Sequence, residues 1–319
     1  MSKDATRPRP TDNAFLGPLH GGSKEPTYAG ALSFMRRRYS RDLAGVDVVV
    51  WGIPLDAAVS NRPGARFGPQ AIRRASAIFD GDPQYPFARD PFAELAVVDY
   101  GDCVFDYGRH AEIPRCIEAQ AREILATGAH LVSLGGDHYV TWPLLKAHAA
   151  RHGPLALVQF DAHQDTWDDD GERLDHGTFV ARAVREGIID PQRSIQIGIR
   201  THAPDTCGIG ILDAYTVHEQ GVRGTVERVL ARVGAGPAYL TVDIDCLDPA
   251  FAPGTGTPVA GGLSSAQALM ILKGLAGIDW RGMDVVEVAP AYDHGDITAI
   301  AAATFVQHYL GMLAERRRG

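Results

Sequence analysis

The sequence predicts an α/β protein, a three-layer α/β/α sandwich on a central, mostly parallel sheet of about eight strands. Three observations predict it. Short β-branched runs recur along the chain, each followed by a Gly- or Asp-rich loop and then a helical stretch. Most of these runs are continuously apolar rather than alternating, as in strands buried on both faces of a parallel sheet. No repeat, low-complexity tract or interdomain linker interrupts the series. A closed (β/α)8 barrel shares the alternation and is the competing fold.

In chain order, strands are expected over 46–53 (VDVVVWGI), 95–100 (LAVVDY), 130–134 (HLVSL), 155–160 (LALVQF), 194–199 (SIQIGI), 209–213 (IGILD), 238–242 (AYLTV) and 283–288 (MDVVEV). Helical patterns lie between them at 114–127, 141–152, 179–186, 225–233, 265–275 and 298–315. This order requires crossover connections that place helices on both sheet faces. Residues 1–45 are rich in Pro, Gly and charge and read as an N-terminal arm packed on the domain. Residues 46–319 read as a single domain.

The 319 residues are 45% hydrophobic, with 35 Gly and 20 Pro, enough to bury a sizeable core. Lys+Arg number 31 against Asp+Glu 39, a net charge of −8. Nucleic acid and anionic membranes both select a basic face, so neither is an expected partner. The triplets Arg36-Arg37-Arg38 and Arg316-Arg317-Arg318 are expected on solvated faces or interfaces. No apolar run reaches the roughly 18 residues of a membrane span. The opening MSKDATRPRP lacks the apolar segment of a signal peptide. Cys103, Cys116, Cys207 and Cys246 show no C-x-x-C spacing, so reduced thiols in a cytoplasmic protein are expected.

Function is read from the residues just beyond each strand, because ligands bind past the carboxyl ends of parallel strands. After 130–134 comes Gly135-Gly136-Asp137-His138. After 155–160 comes Asp161-Ala162-His163-Gln164-Asp165. After 238–242 comes Asp243-Ile244-Asp245-Cys246-Leu247-Asp248-Pro249, and Glu287 closes the last strand. A single D-x-D is ordinarily a loop or a cap, and a single GGDH a tight turn. All of them at strand ends of one chain bring carboxylates and imidazoles to one edge, where they would repel and desolvate one another without a cation. Mixed O/N ligands without thiolate suit Mn2+, and the carboxylate excess suits two ions bridged by shared aspartates. Alternation in an extended segment would point Asp161, His163 and Asp165 one way, and Asp243 and Asp245 likewise. Gln164 would then point away.

These blocks resemble the ureohydrolases, the arginase and agmatinase superfamily. The stretch from Ala250 to Pro258 (AFAPGTGTP), Pro63-Gly64-Ala65-Arg66-Phe67-Gly68-Pro69, and the stretch from Gly282 to Asp293 resemble bacterial agmatinases in particular. The resemblance runs from about residue 45 to the C-terminus. It implies an arginase-like fold and a hydrolase releasing urea from a guanidine, with two Mn2+ per subunit. By it, His138 and Asp165 hold one ion, His163 and Asp245 the other, and Asp161 and Asp243 bridge them. Asp165 also directs the metal-bound nucleophile. His176 carries a proton to the departing amine, and Glu287 pairs with the guanidinium as a charge-assisted fork. The resemblance also implies a homo-oligomer, a trimer or hexamer.

The expected small-molecule substrate is agmatine, yielding urea and putrescine. The loop Asp168-Asp169-Asp170, with Glu172 and Asp175 against a single Arg173, reads as an acidic rim that attracts a second cationic group. Asp168 is thereby a candidate substrate-binding residue. The alternative is a guanidino acid hydrolase for guanidinobutyrate or guanidinopropionate. A zinc deacetylase of related topology uses fewer ligands on a single ion, and an inactive regulatory homologue is expected to lose a ligand or Glu287; neither matches these residues. Trp142 and Trp167 are candidate cleft walls, and Cys246 a small buried hydrophobe.

Overall fold

A computed structural model describes residues 17–21, 26–79 and 83–317. Nine strands form one sheet: β1 (Arg38–Tyr39), β2 (Val48–Ile53), β3 (Val97–Asp102), β4 (His130–Gly135), β5 (Ala156–Phe160), β6 (Ile195–Ile199), β7 (Gly210–Asp213), β8 (Pro237–Asp243) and β9 (Asp279–Val286). Their order is β1-β3-β2-β4-β9-β8-β5-β6-β7, and every neighbouring pair is parallel. The sheet is open, with β1 and β7 at its edges, which removes the barrel alternative.

Among the described residues, eight α-helices accompany the strands: α1 (Gly68–Ser76), α2 (Pro91–Glu94), α3 (Ile113–Ala126), α4 (Thr141–His152), α5 (Phe179–Arg185), α6 (Ala214–Val233), α7 (Ser265–Gly274) and α8 (Ile297–Arg316). The continuous apolar runs have a direct cause. In β2, Val48 and Val50 pack into one core with Ile72 of α1, Val229 of α6, Ile271 of α7 and Phe305 of α8. Val49, Trp51 and Ile53 point the other way, into a second core with Ile117 of α3, Leu144 of α4 and Phe179 of α5. Successive side chains face opposite sides, so a strand covered on both faces must be apolar at every position.

Where it is described, the stretch before residue 46 packs on the sheet: it contributes β1, which pairs with β3, and it is anchored by Phe34 N–H donating to Asp99 Oδ2 at 2.7 Å. Two expectations need correction. Arg36 and Arg37 are buried rather than solvated, with the Arg37 guanidinium 4.0 Å over the Phe92 ring. In the second triplet, Arg316 pairs with Asp279 and Arg317 with Asp47, while Arg318 lies outside the described residues. Finally, α8 is 20 residues long with a window of mean hydropathy 1.4, long and apolar enough to cross a membrane. Yet 72% of that window is buried inside the protein, where it serves as a core helix.

Strand order sets up the site. β2, β4, β9, β8 and β5 are consecutive across the sheet, so the segments leaving their carboxyl ends meet at one edge.

Candidate metal centre and active site

At that edge, β4 delivers His138 through a turn that only glycine can make. Gly136 has φ +43, and a Cβ there would lie 2.4 Å from Ile53 O. Glu287 N–H then donates to Gly136 O at 2.8 Å, tying the ends of β4 and β9 together. Asp161 follows β5 directly, and Asp243 ends β8.

The expected strand-like alternation does not align these ligands. β5 stops at Phe160, and Asp165 reaches the site through a left-handed backbone, φ +52. Asp243 caps a 3-10 turn over Ile244–Cys246, its Oδ1 accepting from Asp245 N–H at 2.8 Å. Tight turns aim the carboxylates instead of pleats. Gln164 does point away, its Oε1 accepting from Ala203 N–H.

The six expected ligands come together. His138 Nδ1 lies 3.0 Å from Asp161 Oδ2, 3.1 Å from Asp165 Oδ2 and 3.2 Å from Asp243 Oδ2. His163 Nδ1 lies 3.0 Å from Asp245 Oδ2 and 3.5 Å from Asp161 Oδ1. Two sets with one ligand atom per residue, each able to surround one cation, result: His138, Asp161 and Asp243, and Asp161, His163 and Asp245. Asp161 belongs to both.

The donor set fits divalent ions. His138 Nδ1 is buried and, although three carboxylate oxygens crowd it, none meets hydrogen-bond geometry. Burial opposes charge on the ring, but Asp161, Asp165 and Asp243 outweigh it and hold its pKa well above the usual range. Burial likewise opposes protonation of His163, yet Asp245 and Asp161 drive it to about 12. Burial first, then Asp245 and Asp161, push Asp243 up. Asp165 rises to about 6 through burial and Asp161. Such a cluster demands positive charge at its centre, which a metal supplies without protons.

Supporting contacts orient the ligands. His138 Nε2 is 2.8 Å from Thr241 Oγ1, whose hydroxyl donates to Asp284 Oδ1 at 2.5 Å. Tyr239 and Thr141 hydroxyls also donate to Asp284 Oδ2, at 2.8 and 3.0 Å. With Nε2 held on this chain, Nδ1 is the nitrogen that faces the carboxylates. Gln159 Nε2 donates to Asp161 Oδ2 at 2.7 Å, and Thr257 Oγ1 to Asp245 Oδ2 at 3.2 Å.

Beside the cluster opens a cleft of about 310 Å³ lined by residues including His163, Asp165, Trp167, His176 and Asp243. His176 Nδ1 is 2.8 Å from Glu287 Oε1, and its Nε2 is 2.7 Å from Ser60 Oγ. Burial opposes charge on His176, but Glu287 raises it to about 9. Glu287, fully buried, is held below its ordinary value because His176 and the His138 N–H outweigh burial. Its φ is +64, an uncommon strained backbone of the kind found at functional sites. Oε1 accepts from His138 N–H at 2.8 Å as well as facing His176, whereas Oε2 has no partner. A two-oxygen fork is therefore reduced to one unpaired oxygen, which is itself buried, and Glu287 is not among the residues that line the cleft.

The acidic rim is not as expected. Asp168 is exposed but does not line the cleft. Asp169 is turned onto Arg182 and Arg185 of α5, and Asp170 Oδ1 accepts from Glu172 and Arg173 N–H groups. Besides the candidate ligands and His176, the charged residues lining the cleft are Arg173 and Asp175, paired at 3.3 Å. Trp167 lines the cleft, whereas Trp142 Nε1 donates to Glu186 away from it. Cys246 is buried, and all four cysteines are free. Sequence reasoning missed Ser60, Thr257, Thr241 and Asp284. A buried Asp inside the apolar run of β9 was the available signal for the last.

An arginase-family model matches residues 46–311. The chain is 56% identical to an agmatinase of Chromobacterium violaceum over 94% of each. It is 57% identical to the crystal structure of a hypothetical agmatinase from Burkholderia thailandensis, covering 97% of this chain and 99% of that one, with a TM-score of 0.95. It is 40% identical to proclavaminate amidino hydrolase from Streptomyces clavuligerus, covering 91% and 99%, with a TM-score of 0.84. Matched by the family model over residues 46–311 and by relatives above half identity along nearly its whole length, the chain belongs to the arginase family.

Proposed function

We infer that this chain hydrolyses the guanidino group of agmatine to urea and putrescine, with two Mn2+ per subunit. The observation that carries the reading is the shared Asp161, with one oxygen beside each histidine. His138 and Asp165 would hold one ion, His163 and Asp245 the second, with Asp161 and Asp243 between them. The chemistry such ions would supply there is a water activated as nucleophile, its pKa lowered from about 15.7 toward neutrality.

The chain's own groups do the rest. Asp165 at the cleft accepts a hydrogen bond from the attacking water and sets its direction. The free Oε2 of Glu287 takes one N–H of the guanidinium, placing its carbon beside the nucleophile. His176, polarised by Glu287, handles the proton the departing amine requires. The tail of the substrate extends toward Trp167, Arg173 and Asp175.

Support for agmatine comes from the agmatinases above half identity. A second reading, a guanidino acid, is favoured by one feature: Arg173 at the cleft could meet a terminal carboxylate. Urea release by the Mn2+-loaded enzyme from agmatine, arginine, guanidinobutyrate and guanidinopropionate separates them. Agmatine should show the highest kcat/KM; preference for guanidinobutyrate would replace the substrate while leaving the chemistry.

A further inference from the structure

Ser60 stands beside the His176 imidazole at the open cleft. His176 is buried, Ser60 is exposed, and both line the cleft. Ser60 N–H donates to His176 Nε2 at 3.1 Å, and Ser60 Oγ lies 2.7 Å from the same nitrogen. The other nitrogen, Nδ1, faces Glu287 Oε1 at 2.8 Å. A carboxylate only accepts, so Nδ1 keeps its proton in either charge state of the ring, and Nε2 is the nitrogen whose proton comes and goes.

Only Nε2 can therefore gain and lose a proton during turnover, and both of its neighbours belong to Ser60. The main-chain N–H cannot accept a proton. The hydroxyl can, and it can pass its own onward.

The segment carrying Ser60 is fixed from several sides. Ala58 N–H donates to Asp137 Oδ2 at 2.8 Å, and His176 N–H donates to Ala58 O at 3.2 Å. Asn61 Nδ2 donates to Gly256 O at 2.9 Å, next to Thr257 of the cleft. The hydroxyl is thus held against the ring by the backbone on both sides of it.

We propose that Ser60 is a catalytic residue, the hydroxyl through which His176 passes its proton to the departing amine. The H–Nε2 bond breaks as a new O–H bond forms on Ser60, and the original Ser60 proton moves to the amine nitrogen as its bond to carbon breaks. Ser60 ends as a neutral hydroxyl and Glu287 remains a carboxylate. His176 regains its proton from the water consumed, so no further reactant is required. The inference rests on the proton-carrier reading of His176.

The test compares Ser60→Ala, Ser60→Thr and His176→Ala in the full-length, Mn2+-loaded enzyme, following urea release from agmatine and metal content. The main-chain N–H survives both Ser60 substitutions and keeps the ring oriented, so kcat reports the hydroxyl. Ser60→Ala should lose about 10- to 100-fold in kcat with KM within about threefold and metal retained. Ser60→Thr, which keeps a hydroxyl and controls for folding, should recover most of that loss. Unchanged kcat in Ser60→Ala beside an inactive His176→Ala overturns the relay alone. A rise in KM without loss of kcat overturns it too, making Ser60 a wall of the cleft. Full activity in His176→Ala removes the reading beneath it.

Discussion

Asp161 divides its carboxylate between two histidines: Oδ2 lies 3.0 Å from His138 Nδ1, and Oδ1 lies 3.5 Å from His163 Nδ1. Each oxygen also accepts a hydrogen bond from the protein, Oδ2 from Gln159 Nε2 and Oδ1 from His163 N–H. The protein's own groups therefore orient the carboxylate. Preorganisation of this kind lets one side chain serve two cations without a change of rotamer.

The same logic reaches one layer outward, to Thr241. Its hydroxyl links His138 Nε2 to the buried Asp284, which faces it across the β8–β9 register. Thr241→Val keeps the volume but removes the link, so the imidazole loses its tautomer restraint. Metal affinity should fall about 10- to 100-fold with the fold intact. Titration with Mn2+ followed by calorimetry checks this.

His176→Ala should keep both metals and the fold. Its nearest partners, Glu287 and Ser60, hold no expected metal-ligand role. Turnover should fall by about 100-fold or more, as for loss of a general acid. Steady-state urea assays beside metal analysis measure both quantities.

Asp168→Asn should leave KM for agmatine within about twofold, because Asp168 does not line the cleft. Its neighbour behaves differently. Asp169 pairs with Arg182, whose side chain is 3% exposed, so Asp169→Ala strands a buried cation and should cost about 3 kcal/mol in denaturant unfolding. Burial opposes ionisation of Asp169, but Arg182, the Gly171 N–H and Arg185 outweigh it and hold its pKa at about 2. A lowered folded-state pKa stabilises at high pH. The stability gap between wild type and Asp169→Ala should be full above pH ~4 and close as pH falls toward 2.

Much of this site could be read from the chain before folding. The three metal blocks announce themselves because their strand ends concentrate carboxylates and imidazoles, with Gln164 and Cys246 as the exceptions. The hidden parts have local physical causes. β1 is two residues, Arg38–Tyr39, with no apolar pattern to mark it. In α6, Gly221 at φ +70 breaks the helical period, so only its second half, from Thr225, shows in the sequence. The Asp169 charge looked like part of a solvated rim, because nothing in sequence spacing brings Arg182 onto it. Ser60 escaped notice because it meets His176 from 116 residues away, and no local pattern records that contact.

The most direct test is metal content after dialysis for wild type and Asp161→Asn. An amide offers one oxygen acceptor where the carboxylate offers two, so a shared ligand cannot be replaced by it. Wild type should retain two Mn2+ per chain, and Asp161→Asn fewer than one, with urea release from agmatine lost. Two tightly held ions in Asp161→Asn would contradict the shared-aspartate centre on which the proposed chemistry stands.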